Sequence, residues 1–332
     1  MRDVQRVKSV VGEILPAPVR RLVRRSLSRM RASRAVVRAT QLGEFRADAT
    51  RYVRSADSGE SSSQSRTPVH LEAQLTRDYH RVEKGLALAS PKRPFGEDVL
   101  ARLETLIPVA QRANPDAAFV RAAESARDAL ALWNSGGGPD ATVAPVAGSG
   151  DRGIDVDQFF PTRHSVRDFS KEAVSADEIM RVVELAAFSP SVCNREPWKV
   201  RQFFGKDVAR ILIHQNGNRG FAQAIPALLL VSVELGYFAG PGERNQAWIE
   251  GGIFSASLVW ALHGIGLDSC MLNLSLVTSQ ADDLRAAVGM PESEVPIMMI
   301  AVGRGRPGHR VARSPRRTVT QLIIGNPRGS TS

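Results

Sequence analysis

The stretch SPSVCNREPW (189–198) sets two prolines, a cysteine, an asparagine and a tryptophan directly after the apolar run IMRVVELAAF (179–188). The run reads as one helix over 175–188. Ser175 stands at its N-cap with Glu178 three residues on, a capping box, and Ile179, Val182, Val183 and Ala186 form its apolar stripe. An ordinary connection needs no tryptophan or paired prolines, so the stretch is either a rigid corner sealing a core or a platform shaped against something flat. Downstream, WKVRQFF (198–204) reads as a strand and ALLLVSVEL (227–235) as a buried central one; a long helix covers roughly 246–264, and PIMMIAVG (296–303) is a further strand. Alternating strands and helices predict an α+β or α/β sandwich with helices on both faces of a sheet.

Bulk properties narrow the classes. The chain has 332 residues, 43% of them hydrophobic, enough for two domains or for one with a long extension. No apolar run reaches the ~18 residues of a membrane span, and the N-terminus MRDVQRVKSVVGEIL lacks the core of a signal peptide. Two cysteines, Cys193 and Cys270, make no disulfide framework and fit a reducing cytoplasm. Six scattered histidines without HExxH or CxxC predict no metal site. The net charge of +10 is uneven: one group of arginines runs from Arg20 to Arg38, and another comprises Arg304, Arg306, Arg310, Arg313, Arg316 and Arg317.

Five segments follow from composition. Residues 1–54 are a basic helical segment, within which 16–38 form an amphipathic helix suited either to an anionic membrane surface or to packing on its own protein; nucleic acid is disfavoured because interleaved aromatics are absent. Residues 55–69 are a Ser-rich linker, and 70–134 a helical extension carrying HRVEKGL (80–86) and the turn PKRPFG (91–96). Residues 135–153 are a flexible Gly/Pro/Ala linker, and 154–325 the compact domain.

For chemistry, no GxGxxG joins a strand to a helix, and a Walker A loop and a GxSxG elbow are missing, which points to chemistry carried by a cofactor. In RHSVR (163–167), an extended backbone would turn Arg163, Ser165 and Arg167 to one face, a set suited to a phosphate and a polar ring; a plain surface strand has the same pattern. At Glu250-Gly251-Gly252, missing Cβ atoms allow either close approach of a ligand to backbone N–H groups or close packing of helices.

In this order and spacing, RHSVRDF (163–169), SPSVCNREPW (189–198), EGGIFSASLVWALHGIGLDSC (250–270) and VGRGRPGHRVARSPRR (302–317) resemble the nitroreductase family of FMN-dependent oxidoreductases, over about residues 158–323. The resemblance implies an α+β fold: an α/β/α sandwich with a mostly antiparallel central sheet, here with an N-terminal helical extension. It also implies a homodimer with FMN at the interface. Arg163, His164 and Ser165, with Arg316 and Arg317, would lie at the FMN phosphate, and Arg167 beside the ribityl chain and the N1/O2 edge. Pro190, Ser191 and Asn194 would cover the flavin of the other subunit, and backbone N–H groups near Glu250 and Gly251 would face N5 and O4. Trp198 is read as packing beside the site and Cys193 as a small buried residue.

Two departures stand out. Glu196 occupies the family's usual Gln position, where an acid disfavours the anionic reduced flavin unless it points away or pairs, for instance with Arg195; and Arg313 is an alternative to one of the two C-terminal arginines. The extension resembles one found on nitroreductase-like proteins of bacterial polysaccharide loci. The implied activity passes electrons from NAD(P)H through FMN to a nitro, quinone or other small organic acceptor, with no side chain acting as acid or base, in surface-glycan or secondary metabolism. The competing reading is a non-catalytic FMN-binding accessory protein. Either is compatible with a cytoplasmic chain peripheral at a membrane.

Overall fold

The computed structural model describes residues 34–57, 67–146, 153–312, 314 and 316–325. Most of the 16–38 segment, parts of both linkers and Arg313 lie outside them. The first described element, α1 (Arg34–Ser55), continues the basic segment well past residue 38. No helix among the described residues is long and apolar enough to cross a membrane.

Three helices follow: α2 (Pro68–Leu86), α3 (Glu97–Ala113) and α4 (Ala118–Asn134). Thr67 caps α2 by accepting from the His70 N–H, and Pro68 sits at its first turn, where no donor is needed. Leu75, Val82, Leu103, Ile107, Val120 and Leu130 close a separate core between these helices, joined by Val143 from the segment after α4. Gly85 is required there, since a Cβ would lie 2.4 Å from the Phe95 ring.

The remainder runs α5 (Val156–Thr162), α6 (Ala176–Ala186), β1 (Trp198–Phe204), α7 (Lys206–Leu212), β2 (Ala227–Glu234), α8 (Gln246–Gly264), β3 (Asp268–Asn273), α9 (Thr278–Val288), β4 (Glu294–Gly303) and α10 (Val319–Leu322). The sheet has the order β1-β2-β4-β3, and every neighbouring pair is antiparallel. The choice left open between α/β and α+β therefore falls to α+β. All eight residues of β2 are buried because it serves two cores. Leu229, Val231 and Val233 meet Ile179 of α6 and Phe254 and Leu258 of α8, whereas Leu228 and Leu230 meet Val208 and Ile211 of α7 and Leu284 of α9. A strand covered on both faces reads as an unbroken apolar run. Each fully buried Leu contributes about 2 kcal/mol of burial.

The capping box is formed as expected, with Ser175 Oγ accepting from Glu178 N and Glu178 Oε2 from Ser175 N. Pro296 cannot donate to β2, and the ladder shifts by one residue between Val231 and Ser232, bulging at Ile297. β3 was not read as a strand from the sequence, and it forms the sheet edge on which the candidate site is built.

Candidate functional site

Helix α5 ends at Thr162, and Arg163 leaves it in an extended conformation. The chain then lies parallel to the free edge of β3: Ser165 bridges Ser269, and the Val166 N–H donates to Ser269 O at 3.0 Å. Val166 points into the core at 1% exposure, so alternation turns Ser165 and Arg167 to the other side. The Arg163 guanidinium lies 5.6 Å from the ring centre of Trp260. Trp260 in turn packs with Phe159, Phe160 and His263. Among the described residues, Arg167 donates only to Ser165 O, at 3.3 Å. Neither arginine has a carboxylate partner among the described residues, whereas Asp168, next along, is taken by Arg306. Burial pushes the Cys270 thiol up, and the charges of Arg167 and Arg163 pull it the other way. His164 is exposed.

The β3 edge also offers backbone donors. Ser269 O faces outward to Val166 and Asn273 O outward to Gln215 Nε2 at 3.0 Å, so the alternation of an antiparallel strand turns the N–H groups of Met271 and Asn273 outward as well. This corrects the expectation for Glu250 and Gly251. Their N–H groups lie in the second turn of α8, within its own hydrogen-bond ladder. Gly251 is small because a Cβ would sit 2.5 Å from Ile297 at the bulge.

Glu250 has a different task, under the 189–198 loop. Its carboxylate is buried; Oε1 accepts from Val192 N at 2.8 Å and from Gln246 Nε2 at 3.2 Å, while Oε2 has no partner among the described residues. Its carbonyl accepts from Trp198 Nε1 at 3.1 Å, and the Trp198 ring stacks on Phe254 at 4.5 Å, as packing beside the site requires. The loop's backbone is unusual: Cys193, Asn194 and Glu196 have φ of 52°, 53° and 46° without being glycine. Each such residue costs about 1–3 kcal/mol, so the surroundings must enforce the shape.

Arg195 is the main enforcer. It is buried, donates to both oxygens of Glu243 at 2.7 and 2.9 Å and to Tyr237 O at 2.7 Å, and reaches back to Val192 O at 3.1 Å. The pairing of Arg195 with Glu196 raised as a way out is therefore not the one formed. Local desolvation raises the Glu196 carboxyl above its ordinary value, and its N–H donates to Ser191 Oγ at 2.9 Å. Pro190 and Asn194 are exposed, and Cys193 is half-exposed rather than buried.

The structure thus gathers Arg163, Ser165 and Arg167 at one place, and Pro190, Ser191 and Asn194 at another. Both flank α8, beside Trp260 and Glu250 respectively, about 15 Å apart along the helix axis. Arg316 and Arg317 are exposed and form no hydrogen bond or ion pair among the described residues. The roles of Arg195, Glu243 and the β3 edge were missed from the sequence. The one available signal was Arg195 inside the motif, but its partner lies 48 residues away.

Comparison with known proteins adds the following. Residues 161–206 and 201–304 match the model of the Nitroreductase family. A Methanothermobacter thermautotrophicus protein named as an NADH dehydrogenase/NAD(P)H nitroreductase is 21% identical over 151 residues, 45% of this chain and 77% of its own length. Among solved structures, a Desulfovibrio desulfuricans nitroreductase in complex with FMN is 21% identical, covering 52% of this chain and 98% of its own, with a TM-score of 0.45. An FMN-dependent nitroreductase from Clostridium difficile R20291 is 16% identical, covering 51% and 98%, with a TM-score of 0.43.

Proposed function

We propose that the chain, whose residues 161–304 match the nitroreductase family model, is an FMN-dependent oxidoreductase working as a homodimer. The observation that carries this reading is the pair of guanidiniums, Arg163 and Arg167, left without carboxylates beside an open strand edge. Two guanidiniums on either side of Ser165 at the β3 edge fit a phosphate, and the outward N–H groups of Met271 and Asn273 fit acceptor atoms of a planar ring. When bound, FMN supplies the centre that takes up and passes on hydride.

The chain's own residues bind and orient. Arg163 and Ser165 hold the phosphate end, joined by Arg316 and Arg317 from the tail, with His164 flanking them. Arg167 places positive charge where negative charge develops in the reduced cofactor. Pro190, Ser191 and Asn194 form the cover and exclude water. A second copy supplies that cover, because within one chain the loop stands about 15 Å along α8 from the arginines. The outer face of α8 supports this: Trp248, Ile249 and Ile253 are exposed at 49%, 51% and 37%, on a helix apolar nearly all round. The donor is NAD(P)H, following the name of the archaeal relative, and the acceptor is a nitro compound, a quinone or another small organic molecule. Glu196 beside the cover raises the pH sensitivity of the site without providing a required acid.

The test is an absorbance spectrum of the purified protein before and after anaerobic NADPH and then NADH. A band near about 450 nm, the signature of bound flavin, that bleaches with either nucleotide supports the enzyme. Bound flavin that does not bleach supports the non-catalytic accessory reading. Absence of flavin after reconstitution with FMN removes both.

A further inference from the structure

Helix α1 lies outside the residues that match the family, yet its end and the two residues after it are tied to the turn that holds Arg195. That turn, 237–243, runs from the end of the 3-10 turn Leu235–Tyr237 to the end of the 3-10 turn Pro241–Glu243. Its polar groups are divided between two neighbours. Toward the 189–198 loop, Tyr237 O accepts from Arg195 Nη1 at 2.7 Å, and the Glu243 carboxylate accepts from both terminal nitrogens of the same guanidinium at 2.7 and 2.9 Å. Toward α1, Phe238 O accepts from Asp57 N at 2.9 Å, Gly240 N donates to Asp57 O at 3.1 Å, and Gly240 O accepts from Tyr52 Oη at 2.8 Å. Asp57 and Ala239 thereby form a parallel β-bridge. The Ala239 N–H donates to Glu243 Oε2 at 2.7 Å, so the stretch fixed by α1 also orients the carboxylate.

α1 is itself anchored and can therefore bear on the turn. Near its middle, Glu44 Oε2 accepts from the backbone N and the hydroxyl of Thr278, the first residue of α9, at 2.7 and 2.5 Å, satisfying a helix-end donor from outside that helix. At its end, His70 Nε2 of α2 donates to Ser55 O at 2.9 Å. Asp57 is 3% exposed, and Phe238, with the Arg195 guanidinium 5.4 Å from its ring centre, is fully buried. The bonds between them lie in a low dielectric, where each is stronger than in water.

The loop depends on this turn. Cys193, Asn194 and Glu196 hold a left-handed backbone without being glycine, and Arg195, gripped by the turn, reaches back to Val192 O at 3.1 Å. An unbroken series of covalent and hydrogen bonds thus runs from Tyr52 through Gly240, Ala239 and Glu243 to Arg195 and the loop.

We propose that residues 52–57 brace the 237–243 turn and that Tyr52 is a positioning residue, which through Gly240 keeps the Glu243 carboxylate and the Tyr237 carbonyl aligned on Arg195. The N-terminal helix is then a working part of the site rather than an appended module. That the loop covers a flavin rests on the function proposed above; the brace itself does not.

The experiment separates the two. Hydrogen exchange is followed in the full-length, flavin-free chain for peptides spanning 236–245 and 189–198, with a peptide from α4 as internal reference. The proteins are wild type, Tyr52→Phe, Glu243→Gln and the double variant. Tyr52→Phe keeps the ring and removes the hydroxyl. It is expected to quicken exchange in 236–245 about fivefold, the factor that goes with losing one ordinary hydrogen bond, and to quicken 189–198 with it, while α4 is unchanged. In the Glu243→Gln background, 189–198 should gain less from Tyr52→Phe than it does in wild type, because the two residues share one route to the loop. Unchanged exchange of 189–198 in Tyr52→Phe overturns the brace, and so does an equal gain in both backgrounds, the mark of independent effects. FMN affinity is then measured on wild type and Tyr52→Phe. Weaker binding together with faster loop exchange supports both brace and cover. Faster loop exchange with unaltered FMN affinity keeps the brace and removes the loop from the flavin site.

Discussion

In the helical unit, Arg102 clasps the buried Asp78 with two nitrogens and reaches Asp98 at 3.1 Å, Arg81 stands 3.9 Å from Asp98, and Arg127 meets Asp128 at 2.8 Å. In the α+β domain Arg195 and Arg201 are answered in the same way, by Glu243 and Glu294. Among the described residues, Arg163 and Arg167, on the β3 edge, are not. Fold-stabilising arginines are satisfied internally, because an unpaired charge placed in a core is expensive. On the function proposed above, a cation left open beside outward-facing backbone donors is a place for an anion from outside, and the contrast separates architecture from the proposed site.

Substitutions can break that comparison. The largest stability effect is expected at Arg102→Ala, which leaves the fully buried Asp78 carboxylate without its bidentate partner. Urea unfolding should show a loss of about 3 kcal/mol, while FMN affinity of the folded protein stays at its wild-type value. A parallel loss of FMN binding would mean that the helical unit's charges belong to the site and that the contrast is false.

A smaller effect sharpens the other side. Burial pushes the Glu294 carboxyl up, but hydrogen bonds from Arg201 and Ser232 and the Arg201 charge outweigh it and hold the group below its ordinary value of 4.5. Glu243 is lowered in the same manner, with Arg195 and the Ala239 N–H prevailing over burial. A folded-state value below the unfolded one contributes stability that is present above about pH 4.5 and lost as the pH falls through the folded value. Unfolding free energy should therefore decline on acidification below about pH 4.5, and Glu294→Gln should make that decline shallower. An unchanged slope in the variant would show that the Arg201–Glu294 pair carries no linked stability.

Much of the architecture was readable because it rests on local periodicity. The capping box at Ser175 and Glu178, the strands of 198–204 and 296–303, the doubly buried β2 and the helix of 246–264 all announce themselves within a few residues. β3 did not, because DSCMLN is short and mixes polar with apolar residues, as an edge strand does. At the site, alternation in RHSVR led to the expectation that Arg163, Ser165 and Arg167 share a side, and Val166 is buried between Ser165 and Arg167. The glycines at 251–252 misled, because a missing Cβ does not say what approaches, and for Gly251 it is Ile297. Arg195 and Glu243 were illegible for one reason. Each acts through a partner far away in sequence, and no local pattern encodes that pairing.

The most direct measurement is the FMN dissociation constant of wild type, Arg163→Ala and Arg112→Ala, by titration of the flavin-free proteins. Arg112 is an exposed arginine of α3, remote from the β3 edge in sequence. Loss of one charge-assisted contact worth about 2 kcal/mol predicts about thirtyfold weaker binding for Arg163→Ala, with Arg112→Ala at the wild-type value. Equal affinity in all three proteins would contradict the claim that the open arginines of the β3 edge hold the cofactor.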